Sequence, residues 1–200
     1  MKAQTIARLI SLVLSPPLMV IAITGLVAYT EADSRISFMA WWLIASLFLA
    51  ILPTAVIFLG TRKGWISDLG LSQRDQRAWP LIFSIFFALA GGLVLYITGA
   101  PQLLLAVAAI NVAILSITLV ISYFWKISVH TLSVSSAATI ATLSFGPAIF
   151  LSTIFIFITG ITGWSRIHLD KHSLGEVIAG GCLGSIVPLI SFIRIERLFA

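Results

Sequence analysis

All three histidines of this chain, His130, His168 and His172, fall in two short polar stretches that also hold basic residues. Lys126, Ser128 and His130 form the first, and Arg166, His168, Asp170, Lys171, His172 and Glu176 crowd into 165–176. These residue types suit phosphate chemistry. A phosphate monoester is an anion whose oxygens need fixed cationic donors, and a planar guanidinium binds two oxygens at once. Arg166, with Arg74 or Arg77 from an earlier polar stretch and Lys126, can surround such a group and stabilise its charge during transfer. Ser128 adds a hydroxyl donor. His130, placed near a helix start, lies where backbone amides also favour an anion. An imidazole titrates near neutrality, as a proton carrier must. Glu176 follows His172 by four residues, the spacing that puts two side chains on one face of a helix.

The elements that must position these residues are dictated by composition. Sixty per cent of the 200 residues are hydrophobic, 10% are charged, and the mean hydropathy is +1.11. Such a chain lacks the polar surface of a water-soluble domain. A bilayer core of about 30 Å calls for roughly 20 apolar residues per crossing helix. Apolar stretches occur at 6–29, 37–60, 79–99, 102–124, 130–145, 147–163 and 174–193. Open strands leave backbone polar groups unsatisfied in lipid, so all seven are read as helices. The expected fold is an all-α polytopic transmembrane bundle of six or seven membrane-embedded helices in one domain over residues 1–200. The fifth and sixth stretches are short and meet at Gly146-Pro147, which leaves two tilted spans or a hairpin open. The first stretch follows Lys2 and Arg8 as a signal peptide would. It runs past Pro16-Pro17 without a small-residue cleavage site, and is read as a retained helix.

Polar residues cluster at 61–78, at Lys126–His130 and at 165–176. Two spans separate each cluster from the next, so this topology puts all three on one membrane face. Trp65, Trp79, Trp125 and Trp164 border them, as an interfacial aromatic belt would. The opposite connections near 100–102 and 145–147 read as tight turns. Gly180 and Gly184 form a small-xxx-small pair that lets a helix pack closely. Asn111 reads as an interhelical hydrogen bond. The net charge of +5 is scattered, with no basic run of the kind that binds nucleic acid. Cys182 is the only cysteine, which excludes an intrachain disulfide and a cysteine metal cluster. Lys and Arg favour the motif side over the other. However, Arg74, Arg77, Lys126 and Arg166 are phosphate candidates and poor witnesses to orientation.

Ser165-Arg166, then five residues, His172, three residues and Glu176 resembles the third signature of the type 2 phosphatidic acid phosphatase superfamily, S-R-x5-H-x3-D. Lys126-Ile127-Ser128-Val129-His130 resembles the second, P-S-G-H, at Ser128 and His130. The resemblance covers about 61–190. Glu176 stands where the family has Asp, and Ile127 and Val129 replace its Pro and Gly. The first signature, K-x6-R-P, is not matched, since Gly70 follows Lys63 at that spacing. Arg74-Asp75-Gln76-Arg77-Ala78-Trp79-Pro80 takes its place, with Arg74 and Arg77 expected to do its work.

The resemblance implies a bacterial-type membrane phosphatase acting on a lipid phosphate or diphosphate, without metal or other cofactor. Candidate substrates are a polyprenyl phosphate or diphosphate, phosphatidic acid and phosphatidylglycerol phosphate. His172 would attack phosphorus to give a phosphohistidine, Glu176 would orient its imidazole, and His130 would protonate the leaving group. The implied partners are membrane lipids, the expected location is the bacterial inner membrane, and the family leans toward an outward-facing site. Three other readings stay open. A zinc set of His168, His172 and Glu176 lacks the H-E-x-x-H order and puts Arg166 beside a cation. A lipid phosphotransferase would pass the phosphoryl group to an acceptor other than water. A membrane carrier or scaffold would keep the fold without turnover.

Overall fold

The computed structural model describes residues 2–146 and 149–199, and every regular element among them is helical. The order is α1 (Lys2–Val13), α2 (Pro16–Glu31), α3 (Arg35–Ser46), a π turn at Leu47–Ile51, α4 (Leu52–Arg62), α5 (Ala78–Ile97), α6 (Gln102–Ser122), α7 (Val129–Phe145), α8 (Ile149–His168) and α9 (Leu174–Phe199). Among the described residues, four helices are long and apolar enough to cross a membrane: Arg35–Arg62, Ala78–Ile97, Gln102–Ser122 and Leu174–Ile193. The pair α1 and α2 makes a fifth if it counts as one bent span. Among the described residues the protein is thus all-helical, with four or five candidate membrane spans.

Prolines explain two departures from straight helices. The expected stretch 6–29 breaks at Leu14-Ser15, because a proline disfavours helical backbone in the residue before it and is well placed to open a new helix. In Arg35–Arg62, the ring of Pro53 would meet the Leu49 carbonyl of a regular helix. The chain instead makes a π turn there, closed by Leu52 N–H donating to Leu47 O. At the expected meeting point Gly146-Pro147, Gly146 ends α7 with φ 89, and Pro147 lies outside the described residues.

The chain divides into two compact units, Met1–Met19 with Lys126–Ala200, and Val20–Trp125. In the first, α7 packs on α8 and α9, and α1 packs on α8. Ser165 Oγ donates to Ala7 O at 2.8 Å, fixing α1 to the end of α8. The small-xxx-small pair is the seam between α7 and α9. A Cβ at Gly180 would strike the Ser128 carbonyl, and one at Gly184 would strike the Leu132 carbonyl. Backbone cannot yield as a flexible side chain does. Gly184→Val is therefore expected to cost at least about 1–3 kcal/mol and lower the thermal midpoint in detergent by several degrees. Gly160→Ala, where a Cβ meets nothing within 4 Å, should leave that midpoint nearly unchanged.

In the second unit, α5 packs on α6 and on the π turn. Phe48 of that turn lies against Gly91. Trp42 Nε1 donates to Ile21 O at 3.0 Å across α3 and α2. The expected tight turn near residue 100 is present: Gly99 takes φ +71, and Ala100 N–H reaches back to Leu95 O. Loop 63–77 is organised by Asp68, whose carboxylate accepts from Gly70 N, Ser72 N and Ser72 Oγ.

Candidate active site

Residues 165–176, which resemble the third signature, lie on a helix-to-helix turn built from backbone bonds. α8 ends with Lys171 N–H donating to Arg166 O and Asp170 N–H to Ile167 O. Asp170 takes the left-handed conformation, φ 52, that this type of helix end requires. His172 N–H also reaches Arg166 O, so the carbonyl of Arg166 anchors the backbone of His172. α9 then starts with a reciprocal cap. Ser173 Oγ accepts from Glu176 N at 3.4 Å, and Glu176 Oε2 accepts from Ser173 N at 3.2 Å.

The same carboxylate oxygen lies 2.7 Å from His172 Nδ1. The sequence reading relied on helical i, i+4 spacing for this pair. The helix begins only at Leu174, and the cap delivers the contact instead. A carboxylate can only accept, so Nδ1 carries a proton, and in the neutral imidazole the lone pair then lies on Nε2. The His172 side chain is 3% exposed. His168 is exposed, and its ring stacks on Trp164 at 5.2 Å. The two histidines therefore have different surroundings. Among the described residues no group of three His, Cys, Asp or Glu side chains has metal-binding geometry.

The Lys126–His130 stretch lies against residues 165–177. Lys126 Nζ donates to Lys171 O at 2.7 Å, Ser128 N–H to Glu176 O at 3.0 Å, and Thr131 Oγ1 to Val177 O at 3.1 Å. Ser128 is fully buried and caps α7, its hydroxyl accepting from Thr131 N at 3.4 Å. His130, half-buried, occupies the first turn of α7, as expected from sequence. The Gly180 and Gly184 contacts show that α7 and α9 run parallel, so both N-termini open at the same place. Two helix starts together carry partial positive charge and amide donors, which favours an anion.

Arg166 is buried, and its Nη1 donates to Ser11 Oγ of α1 at 2.5 Å. Sequence reasoning missed Ser11, for which no local pattern gives a signal. It also missed Ser173, although Ser173-Leu174-Gly175-Glu176 has the spacing of a capping box.

Arg74 and Arg77 belong to the other unit. Their segment is a turn, with α5 starting only at Ala78, so helical spacing does not put them on one side. Arg77 is 2% exposed and its Nε donates to Leu71 O at 3.0 Å. Arg74 is exposed, and its Nη1 donates to Phe124 O at 2.9 Å. The structure thus brings together Lys126, Ser128, Arg166, His172 and Glu176, with His130 in the adjoining helical turn.

The chain matches no protein-family model, no curated protein and no solved structure.

Proposed function

We propose that the chain is an integral membrane phosphatase that hydrolyses a lipid phosphate or diphosphate. The observation that carries this reading is the pair of buried His172 with half-buried Glu176 at the paired starts of α7 and α9. In this reaction His172 Nε2 attacks phosphorus, and the bond from phosphorus to the leaving oxygen breaks. His130 gives that oxygen its proton. Water then attacks the phosphohistidine, His130 takes the proton of that water, and inorganic phosphate leaves with His172 restored. Arg166 and Lys126 hold the phosphoryl oxygens, together with the amides at the two helix starts. On this reading α7 and α8 complete a bundle of six or seven membrane-embedded helices in the bacterial inner membrane.

The test is phosphate release by purified protein in mixed micelles. The panel comprises phosphatidic acid, phosphatidylglycerol phosphate, and polyprenyl phosphate and diphosphate. Release is expected from at least one of them, undiminished by EDTA and inhibited by vanadate, which imitates a five-coordinate phosphorus. Activity lost in chelator and restored by zinc or magnesium would replace the phosphohistidine with a metal mechanism. Transfer to an added alcohol in preference to water would make the protein a phosphotransferase. No release and no transfer with any member would leave a carrier or scaffold.

A further inference from the structure

A cavity of about 160 Å³ lies in the Val20–Trp125 unit, lined by Arg74, Asp75, Ala78, Leu119, Ser122 and Tyr123. Ser122, at the end of α6, is 6% exposed, and its Oγ has no hydrogen-bond partner. Thr118, one turn earlier and 2% exposed, also has an unpartnered hydroxyl. Serines in apolar helices ordinarily bond the carbonyl four residues back. Ser116 of the same helix does so at 2.8 Å, as does Ser84 of α5 at 2.7 Å. A buried hydroxyl left unbonded is costly, so Ser122 facing a cavity points to a ligand that bonds it. Arg74 adds cationic donors. Its bond to Phe124 O uses one of the five N–H groups of a guanidinium.

Charge and depth narrow the ligand class. Arg74 and Asp75 sum to zero, so a doubly charged phosphate monoester meets a carboxylate that repels it. A phosphodiester joined to a primary ammonium matches both charges, and the ammonium can donate to Asp75. Trp79, Tyr123, Phe124 and Trp125 are exposed around this end of α5 and α6, as aromatic residues are at headgroup depth. From Ala78, the next residues on the same face of α5 are Ile82 and Phe86, about 6 and 12 Å along the helix. Both are exposed and offer an apolar track for an acyl chain.

We propose that this cavity holds the headgroup of a phospholipid of the phosphatidylethanolamine type. Arg74 and Ser122 bind its phosphate, Asp75 binds its ammonium, and an acyl chain follows Ile82 and Phe86. This inference does not depend on the phosphatase reading.

The test uses full-length protein in nanodiscs of equal parts phosphatidylethanolamine, phosphatidylglycerol and phosphatidylcholine. The protein is extracted into mild detergent, and retained lipid is counted by native mass spectrometry. Phosphatidylethanolamine should be retained at least about tenfold over the other two, the scale of one charge-assisted hydrogen bond. Arg74→Gln and Ser122→Val should abolish that preference. Asp75→Asn should turn it toward phosphatidylglycerol. Asp75 is exposed, so this variant keeps the test decisive should Arg74→Gln fold poorly. Glycerophosphoethanolamine, the same headgroup without chains, should displace the lipid at least about tenfold less well than the lipid itself. Retention in the proportions of the mixture, or an Asp75→Asn preference equal to the parent's, would overturn the site. Equal potency of the chainless headgroup would overturn the lipid assignment in favour of a soluble phosphodiester.

Discussion

Replacing His172 with alanine should lower phosphate release by about 10⁴-fold or more, while His168→Ala keeps substantial activity. Both residues are histidines in the same polar stretch, and their surroundings separate them. His172 is buried with Nδ1 on Glu176 Oε2, which turns Nε2 toward the nucleophile's part in the proposed reaction. His168 is exposed and stacked on Trp164. The variants should be compared at equal thermal midpoints, because His172→Ala also removes a bond from the start of α9. The chemical signature is an acid-labile phosphoryl group, trapped on the parent by a labelled substrate and missing from His172→Ala. A His168→Ala protein without activity beside an active His172→Ala protein would reverse the assignment of the signature.

Arg166→Ala should reduce kcat/KM at least about a hundredfold, or roughly 3 kcal/mol of transition-state binding. A phosphoryl group in transfer spreads charge over its outer oxygens, and a buried guanidinium meets that charge without reorganising. Arg166→Lys keeps the charge but loses the planar fork, so it should recover only part of the loss. Inhibition by vanadate should weaken in step with kcat/KM, as it would not if alanine merely loosened the end of α8. A kcat/KM within a few-fold of the parent, with vanadate inhibition unchanged, would remove Arg166 from the phosphate site.

Periodicity and residue type made some of this legible in the sequence. The helices beginning near residues 79, 102, 130 and 174 could be read because apolar runs of helix length end at Pro, Gly or a polar cluster. Other features depend on bonds that no pattern displays. The π turn before Pro53 can be rationalised from the proline, but a kink would have served as well. Loop 61–78 carries too many polar residues to betray a helix or a turn. It is ordered by the Asp68 carboxylate and by Arg77 reaching Leu71 O, neither a matter of periodicity. The His172–Glu176 contact falls at the spacing of four, though it is the cap at Ser173 that delivers it. Ser11 meets Arg166 across 155 residues of sequence, a separation at which local patterns carry no information.

The turn between α8 and α9 gives the gap in S-R-x5-H a geometric meaning. The bond from Lys171 N–H to Arg166 O closes the end of one helix, and Ser173 opens the next, with His172 as the single residue between them. The interval is therefore a ruler whose length is fixed by two hydrogen-bonded closures. Side chains within it can change freely so long as the left-handed position at 170 is held by Asp, Asn or Gly. The number of residues cannot. Adding or removing one would rotate His172 away from Glu176 with every side chain of the signature still present. Length variation should thus be purged from this turn more strictly than substitution, the reverse of what surface loops ordinarily tolerate.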